Sequence, residues 1–219
     1  MSDDAARDAL LHEYTRFGAP ALVPEIQLHL ALEATPLWQA IEEEYGMAPD
    51  APWWAFAWPG GLALARHILD HPALVAGKRV FVFAAGSGVE AIACARAGAA
   101  SVVACDTDAM ARHAISRNAA ANGVAVVVAA ADPLDSGPPE CDLLLAGDVC
   151  YERAMAERAL AWLRRAARAG IETWLADPGR PYFERRGLER VAMHVVPTGL
   201  EIEGRARRET TIWRVRRRS

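Results

Sequence analysis

The residues best suited to chemistry lie in the middle of the chain, at the ends of apolar runs. Gly86-Ser87-Gly88 interrupts one such run, and Asp106 stands about twenty residues beyond the first glycine, the distance at which an acid reaches ribose hydroxyls. Gly86 permits a turn that a Cβ would block, and Gly88 is expected to let a ligand approach the backbone. Ser87 and Glu90 stand as S-x-x-E, a capping-box pattern that would satisfy free N–H groups at a helix start. Asp132 follows a later apolar run, where an open α/β sheet binds ligands and where a turn residue before Pro133 would also sit. Asp148 and Tyr151 leave the end of another run, and by themselves they fit a helix N-cap and a packed ring. The pattern Gly86-x-Gly88-x-x-Ala91 also matches a dinucleotide fingerprint. A ligand-free turn, a nicotinamide cofactor and an adenosyl cofactor therefore all stay open at this point.

The elements that must position these residues alternate regularly. Val80 to Ala84 reads as a strand, followed by a helix to about Ala97, a Gly98 stop and a second strand from Val102 to Cys105. A helix over Asp108 to Asn122, a third buried strand over Val124 to Ala130 and a fourth over Asp142 to Gly147 come next. Glu152 to Ala169 reads as a helix with Leu160, Leu163 and Ala167 inward and several arginines outward. Ile171 to Ala176 is a fifth strand, and Arg190 to Val196 and Thr210 to Val215 close the chain without an intervening helix. Strands and helices in this order predict an α/β fold. It is a Rossmann-like doubly wound seven-stranded sheet, mostly parallel, with an antiparallel C-terminal hairpin.

Ahead of that core, residues 3 to 17 read as a helix with Ala9, Leu10 and Tyr14 on one side. An extended piece carrying His29 and a helix over Thr35 to Tyr45 follow. The segment Ala51 to Gly61, APWWAFAWPGG, puts three tryptophans between prolines, which suits a core plug or a wall over a flat ring. Pro59 then opens a helix to about Leu69. His67 and His71 are four residues apart, but no accompanying ligand pattern supports a metal. A single domain over 1–219 is expected, with 1–59 as N-terminal extension and lid and 60–219 as the Rossmann-like core.

Composition narrows the functional classes. With 219 residues, 53% of them hydrophobic, one domain with a sizeable core is expected. A net charge of -4 argues against nucleic acid as a bulk partner, and the basic run Arg214 to Arg218 reads as a solvated tail. Cys94, Cys105, Cys141 and Cys150 form no C-x-x-C pair and sit in apolar runs, as reduced core residues do. The acidic start MSDDAARDALL is unlike a signal or transit peptide, and no apolar run approaches a membrane span. A cytoplasmic protein with no membrane association is the expectation.

Six segments, spread over nearly the whole chain, carry a resemblance. They are PEIQLHL (Pro24 to Leu30), WWAFAWPGG (Trp53 to Gly61), the AGSG turn, ACDTD (Ala104 to Asp108), GDVCYE (Gly147 to Glu152) and ADPGRPYF (Ala176 to Phe183). With the closing hairpin, the chain resembles class I, seven-β-strand S-adenosylmethionine-dependent methyltransferases. More narrowly, it resembles those that methylate lysines of the electron transfer flavoprotein β-subunit. That resemblance implies that Gly86, Ser87 and Gly88 face the methionine end of the cofactor, that Asp106 binds its ribose, that Asp132 meets the adenine edge and that Trp58 covers it. It implies that Asp148 and Tyr151 form the floor where the substrate amine meets the methyl group. Two positions depart from the pattern. Val82 stands where the family has a strand-one acid and Ala84 where it has its first glycine, which removes one partner of the cofactor's amino group. Glu90 is assigned to the capping box in preference to replacing that acid.

A free lysine has a pKa of about 10.4, so the enzyme must align the amine and deliver it neutral. Asp148 would orient the ammonium, while Tyr151 and the tryptophans desolvate it; desolvation lowers a lysine pKa and a nearby carboxylate raises it. Other substrates (a ribosomal-protein lysine, or a small amine such as nicotinamide) fit the same pattern. A nicotinamide dehydrogenase is weakened because Lys78, before strand one, is the only lysine and no Y-x-x-x-K occurs. A third reading is a non-catalytic remnant, prompted by Val82 and Ala84.

Overall fold

The computed structural model describes residues 3–31, 34–45 and 52–217. Ala51, at the start of the tryptophan-rich segment, and Arg218, in the basic end, lie outside the described residues. Helix α1 (Asp3–Tyr14) buries Leu10 and Leu11 and leaves Ala9 exposed, so its inner stripe is rotated from the expected one. Thr15–Gly18 is a strand, β1, where the helix was expected to continue; it pairs antiparallel with β2 (Leu28–Ala31) from Thr15↔Ala31 to Gly18↔Leu28. Long-range pairing overrides the local helical pattern there. His29 is a packing residue in that hairpin, its Nδ1 3.0 Å from Thr15 Oγ1 and its ring 5.2 Å from that of Phe17.

Helix α2 (Ala34–Tyr45) follows, then one 3₁₀ turn (Trp53–Ala55) and α3 (Pro59–Asp70). Leu11, Leu37, Ile41 and Trp54 form a small core of their own against Met110, Ala111 and Ala114. The N-terminal third is thereby fastened beside the future site by apolar burial.

The main unit runs β3 (Arg79–Phe83), α4 (Val89–Arg96), β4 (Ser101–Cys105), α5 (Ala109–Ala121), β5 (Val127–Ala129) and β6 (Leu143–Gly147). It continues through α6 (Arg153–Arg168), β7 (Glu172–Asp177), β8 (Leu188–Pro197), the single-turn α7 (Leu200–Glu203) and β9 (Arg207–Val215). Sheet order is β5-β4-β3-β6-β7-β9-β8, with β9 antiparallel to both its neighbours and the other pairs parallel. The expected doubly wound sheet with its antiparallel hairpin is what forms. One expectation fails: the third strand is short and lies at the sheet edge, with Val127 62% exposed, so it is not a buried strand. The hairpin strands are also longer than their apolar cores, because pairing extends to Pro197↔Arg207.

Strand alternation divides the core between two faces. Val80, Val82 and Leu145 pack with α3 and α4, while Phe83 and Leu144 pack against α6 and its Trp162. Helix α6 puts Ala159, Leu160, Leu163 and Ala167 inward and keeps its arginines on the outer face, as its periodicity requires. Burying Trp162 matters most on that side: an indole truncated to Ala in a core costs about 3–5 kcal/mol. Strand order reverses between β3 and β6, the switch point where such sheets leave a crevice beyond the strands' carboxyl ends. No helix among the described residues is long and apolar enough to cross a membrane.

Candidate active site

The crevice begins at the turn after β3. Gly86 (φ +50°) lines a cavity there, and its N–H donates to Asp106 Oδ2 at 2.9 Å, while Asp108 N–H donates to Oδ1 at 3.0 Å. Burial pushes the Asp106 carboxyl up, and those two N–H groups oppose the shift. Ala84 holds φ +52°, a left-handed conformation that costs an L-residue about 1–2 kcal/mol and that glycine would adopt freely.

One local expectation is corrected at this turn. The capping box does not form: α4 starts at Val89 with Gly88 as N-cap, and no side chain caps it. The carboxyl of Glu90 turns inward, so close to α3 that a Cβ on Gly61 would lie 3.0 Å from Oε2. Ser87 is buried, its carbonyl accepting from Asn118 Nδ2 at 2.9 Å. Gly88 is closely packed on its side-chain face, where a Cβ would be 3.2 Å from Ile115 Cγ1. Ser87 and Gly88 thus sit behind the turn, and Gly86 fronts it.

A cavity of about 340 Å³ is walled by Trp53, Trp58, Gly86, Asp106, Asp148 and Tyr151. Next to it, about 280 Å³ more shares Ala84, Asp106 and Tyr151 and ends at Asp132. Asp132 is a turn residue, its Oδ1 accepting from Leu134 N–H at 3.0 Å, and it lines the cavity while paired with Arg158 at 3.0 Å. Trp58 is half-buried, and its indole N–H donates to Trp53 O at 2.7 Å.

Asp148 lies at the other end. It is buried at φ +55°, and α6 takes Glu152 as its N-cap, so Asp148 is not a cap. Its Oδ2 accepts from Gly60 N–H and its Oδ1 from Arg180, at 2.8 Å from Nε and 2.6 Å from Nη2. The start of α3 therefore aims its positive end at a carboxylate. Two glycines make that approach possible. A Cβ on Gly60 would meet Asp148 Oδ2 at 2.5 Å, and one on Gly147 would meet Gly61 N at 2.7 Å. Burial raises the Asp148 carboxyl to about 6, against the pull of Arg180. Arg180 is held in turn by Glu203, with Nη2 to Oε1 at 2.6 Å, and Glu203 by Arg208 at 2.9 Å; the guanidinium lies 5.5 Å from the Trp58 ring. Tyr151 is 41% exposed, its ring 5.2 Å from that of Trp53. Burial pushes Glu90 furthest, to about 8, and the charges of Asp148 and Asp106 push the same way.

The profile of the ribosomal protein L11 methyltransferase (PrmA) family matches residues 65–146. The electron transfer flavoprotein β-subunit lysine methyltransferase of Danio rerio is 33% identical over 219 residues, covering 97% of this chain and 84% of the fish protein. The chain belongs to that lysine methyltransferase family. The Homo sapiens member is 33% identical over 196 residues, 88% of this chain and 74% of its own. Among solved structures, the ribosomal protein L11 methylase of Lactobacillus delbrueckii subsp. bulgaricus aligns with TM-score 0.51 at 20% identity, covering 74% of this chain and 81% of that one. Magnesium protoporphyrin IX methyltransferase from Synechocystis, solved with S-adenosylhomocysteine, aligns with TM-score 0.51 at 15% identity over 70% and 81%. At such identities these two speak for the fold.

The family member is thus an S-adenosylmethionine-dependent methyltransferase, and the dehydrogenase reading falls. Its residues fit that cofactor. A Cβ-free turn at Gly86 fronts the cavity, a carboxylate at Asp106 is braced by backbone N–H groups, and the volume suits a nucleoside-sized ligand. Gly60, Gly147, Arg180 and Glu203 also build the site, with Trp53 as part of the expected tryptophan wall. Gly60, Gly147 and Arg180 lie in the WWAFAWPGG, GDVCYE and ADPGRPYF segments, whereas nothing in the sequence marks Glu203.

Proposed function

We propose that this enzyme methylates lysine ε-amines of the electron transfer flavoprotein β-subunit, with Asp148 and Tyr151 receiving the amine. The observation that carries the reading is the buried Asp148 carboxylate at one end of a cavity rimmed by exposed Trp53 and Tyr151. The named activity of relatives matched over nearly the whole chain supports the substrate. When bound, S-adenosylmethionine supplies an electrophilic methyl group. Gly86, with Ser87 and Gly88 in the same turn, faces the methionine end of the cofactor and Asp106 binds its ribose; Asp132 meets the adenine edge and Trp58 covers it. Residues 1–59 act as extension and lid, consistent with Trp53, Trp54 and Trp58 lining the cavity.

Asp148 is ionised at neutral pH, and a carboxylate offers more acceptor positions than Gly60 and Arg180 occupy. It orients the incoming ammonium against the pull of the Arg180 cation. Trp53, Trp58 and Tyr151 strip water from the amine, which lowers its pKa and lets the proton leave to bulk water at the open rim. Asp148 works by positioning, because its charge alone would raise that pKa. Four free cysteines, three of them buried, are consistent with a reducing cytoplasm.

The test is incubation of the purified enzyme with tritiated S-adenosylmethionine and recombinant flavoprotein β-subunit, followed by peptide mapping. Methyl increments on lysine are expected. Label on another protein of a lysate, with the β-subunit left blank, would overturn the substrate assignment.

A further inference from the structure

On the far side of the loop 177–180 from the reaction cavity lies a second, open groove. It has a volume of about 550 Å³ and is walled by Asp177, Pro178 and Gly179 on one side and by β9 on the other. Strand alternation places Arg207, Glu209, Thr211 and Trp213 on one face of β9, while Thr210 and Ile212 are buried on the other, above α3. Helix α6 covers the groove face around Leu188 and Val215. Beyond Trp213 that face is bare. Met193 and Val195, opposite Thr211 and Glu209 in register, are 39% and 48% exposed.

Charge distinguishes this face from the rest of a chain that carries -4 overall. Arg185, Arg205 and Arg207 line the groove, and among the described residues none of the three makes an ion pair. Arg208 also lines it but is committed to Glu203. Glu203 also grips Arg180, so the groove and the Asp148 end of the reaction cavity are joined by one chain of charges. A ligand lying in the groove would touch the same loop and the same network that hold the catalytic carboxylate.

We infer that this groove docks an acidic segment of the protein substrate, one that places carboxylates against Arg205 and Arg207 and an apolar side chain on Val195. The inference rests on a protein substrate as proposed above. A nucleic-acid strand fits less well. The Trp213 ring that could stack a base is covered by the Arg185 guanidinium at 5.5 Å, which leaves no open aromatic platform in the groove for a base. Cations at the rim of a docking surface act mainly on encounter and specificity, so the contribution should be strongly salt-dependent.

The experiment uses the full chain and the double variant Arg205→Glu/Arg207→Glu. Fluorescence anisotropy measures binding of a labelled Glu-rich peptide containing one Leu, and of a labelled single-stranded oligoribonucleotide. Methylation kinetics on the flavoprotein β-subunit run in parallel. The peptide should bind the wild type with salt-sensitive affinity and the variant on the order of tenfold more weakly. KM for the β-subunit should rise by a similar factor with kcat and cofactor affinity unchanged. Equal peptide binding by both proteins, or tighter binding of the oligoribonucleotide than of the peptide, would overturn the groove assignment. If the variant loses the peptide but the wild type leaves the β-subunit unmethylated, the groove stands and the substrate assignment fails.

Discussion

Replacing Glu90 by Gln tests the electrostatics behind the glycine turn. Glu90 is 3% exposed, and its carboxyl is raised from 4.5 to about 8, first by burial and then by the charges of Asp148 and Asp106. Asp148, at about 6, ionises earlier and so sets the field against which Glu90 must ionise. A carboxyl whose folded pKa exceeds its unfolded value binds more protons in the folded state. Its stabilising contribution is complete below about pH 4.5 and is lost as pH rises through about 8. Integrated between pH 5 and pH 8, the loss is on the order of 3–4 kcal/mol. Gln has the shape of the protonated acid and cannot ionise, so it removes this dependence while keeping the packing against Gly61. Urea unfolding of both proteins from pH 5 to pH 8 should show the wild type losing about that much relative to the variant. The contribution of Asp148 is present in both and largely cancels in the difference. Parallel stability curves would show that water reaches Glu90 and that it titrates as an ordinary acid, refuting the buried-carboxyl account.

Three further outcomes follow from the site. Asp148→Asn should keep cofactor affinity, since Asn tolerates the left-handed backbone, but lower turnover on the order of 100-fold through misplacement of the amine. In the wild type kcat/KM should fall as pH drops below about 6, where Asp148 takes up its proton, and a pH profile of the variant should lack that limb; normal turnover by the variant would remove Asp148 from its role. Asp106→Ala removes the acceptor for Gly86 N–H together with the proposed ribose contact, so calorimetry should show cofactor binding weakened about 10- to 100-fold, and a change within threefold would count against it. Ala84→Gly relieves the positive φ and should raise stability by about 1 kcal/mol in urea unfolding; a less stable variant would mean that Ala84 is not strained.

Long periodic segments were readable because their burial repeats locally: α6 with its leucine stripe, and β3 and β6 as unbroken apolar runs. The glycine turn, Asp106 and Asp148 were readable because each ends such a run on the same side of a parallel sheet. What failed did so where distant partners decide. Thr15–Gly18 is a strand because Leu28–Ala31 lies beside it, and β5 is exposed because it falls at an edge. Ser87 and Glu90 spell a capping box in sequence, yet Gly88 caps the helix while the Glu90 carboxyl packs against Gly61.

The amino-acid order by itself thus determined a doubly wound sheet with a glycine cradle and an acid after the fourth core strand, since each is set by spacing within one strand–turn–helix unit. Only the tertiary structure decided how that acid is held. Gly60, Gly147, Arg180 and Glu203 come from four separate segments, and they meet at Asp148 only once α3, β6 and the β8–β9 connection have packed. A carboxylate's charge state and free acceptor positions depend on neighbours in space, and spacing along the chain carries no record of them.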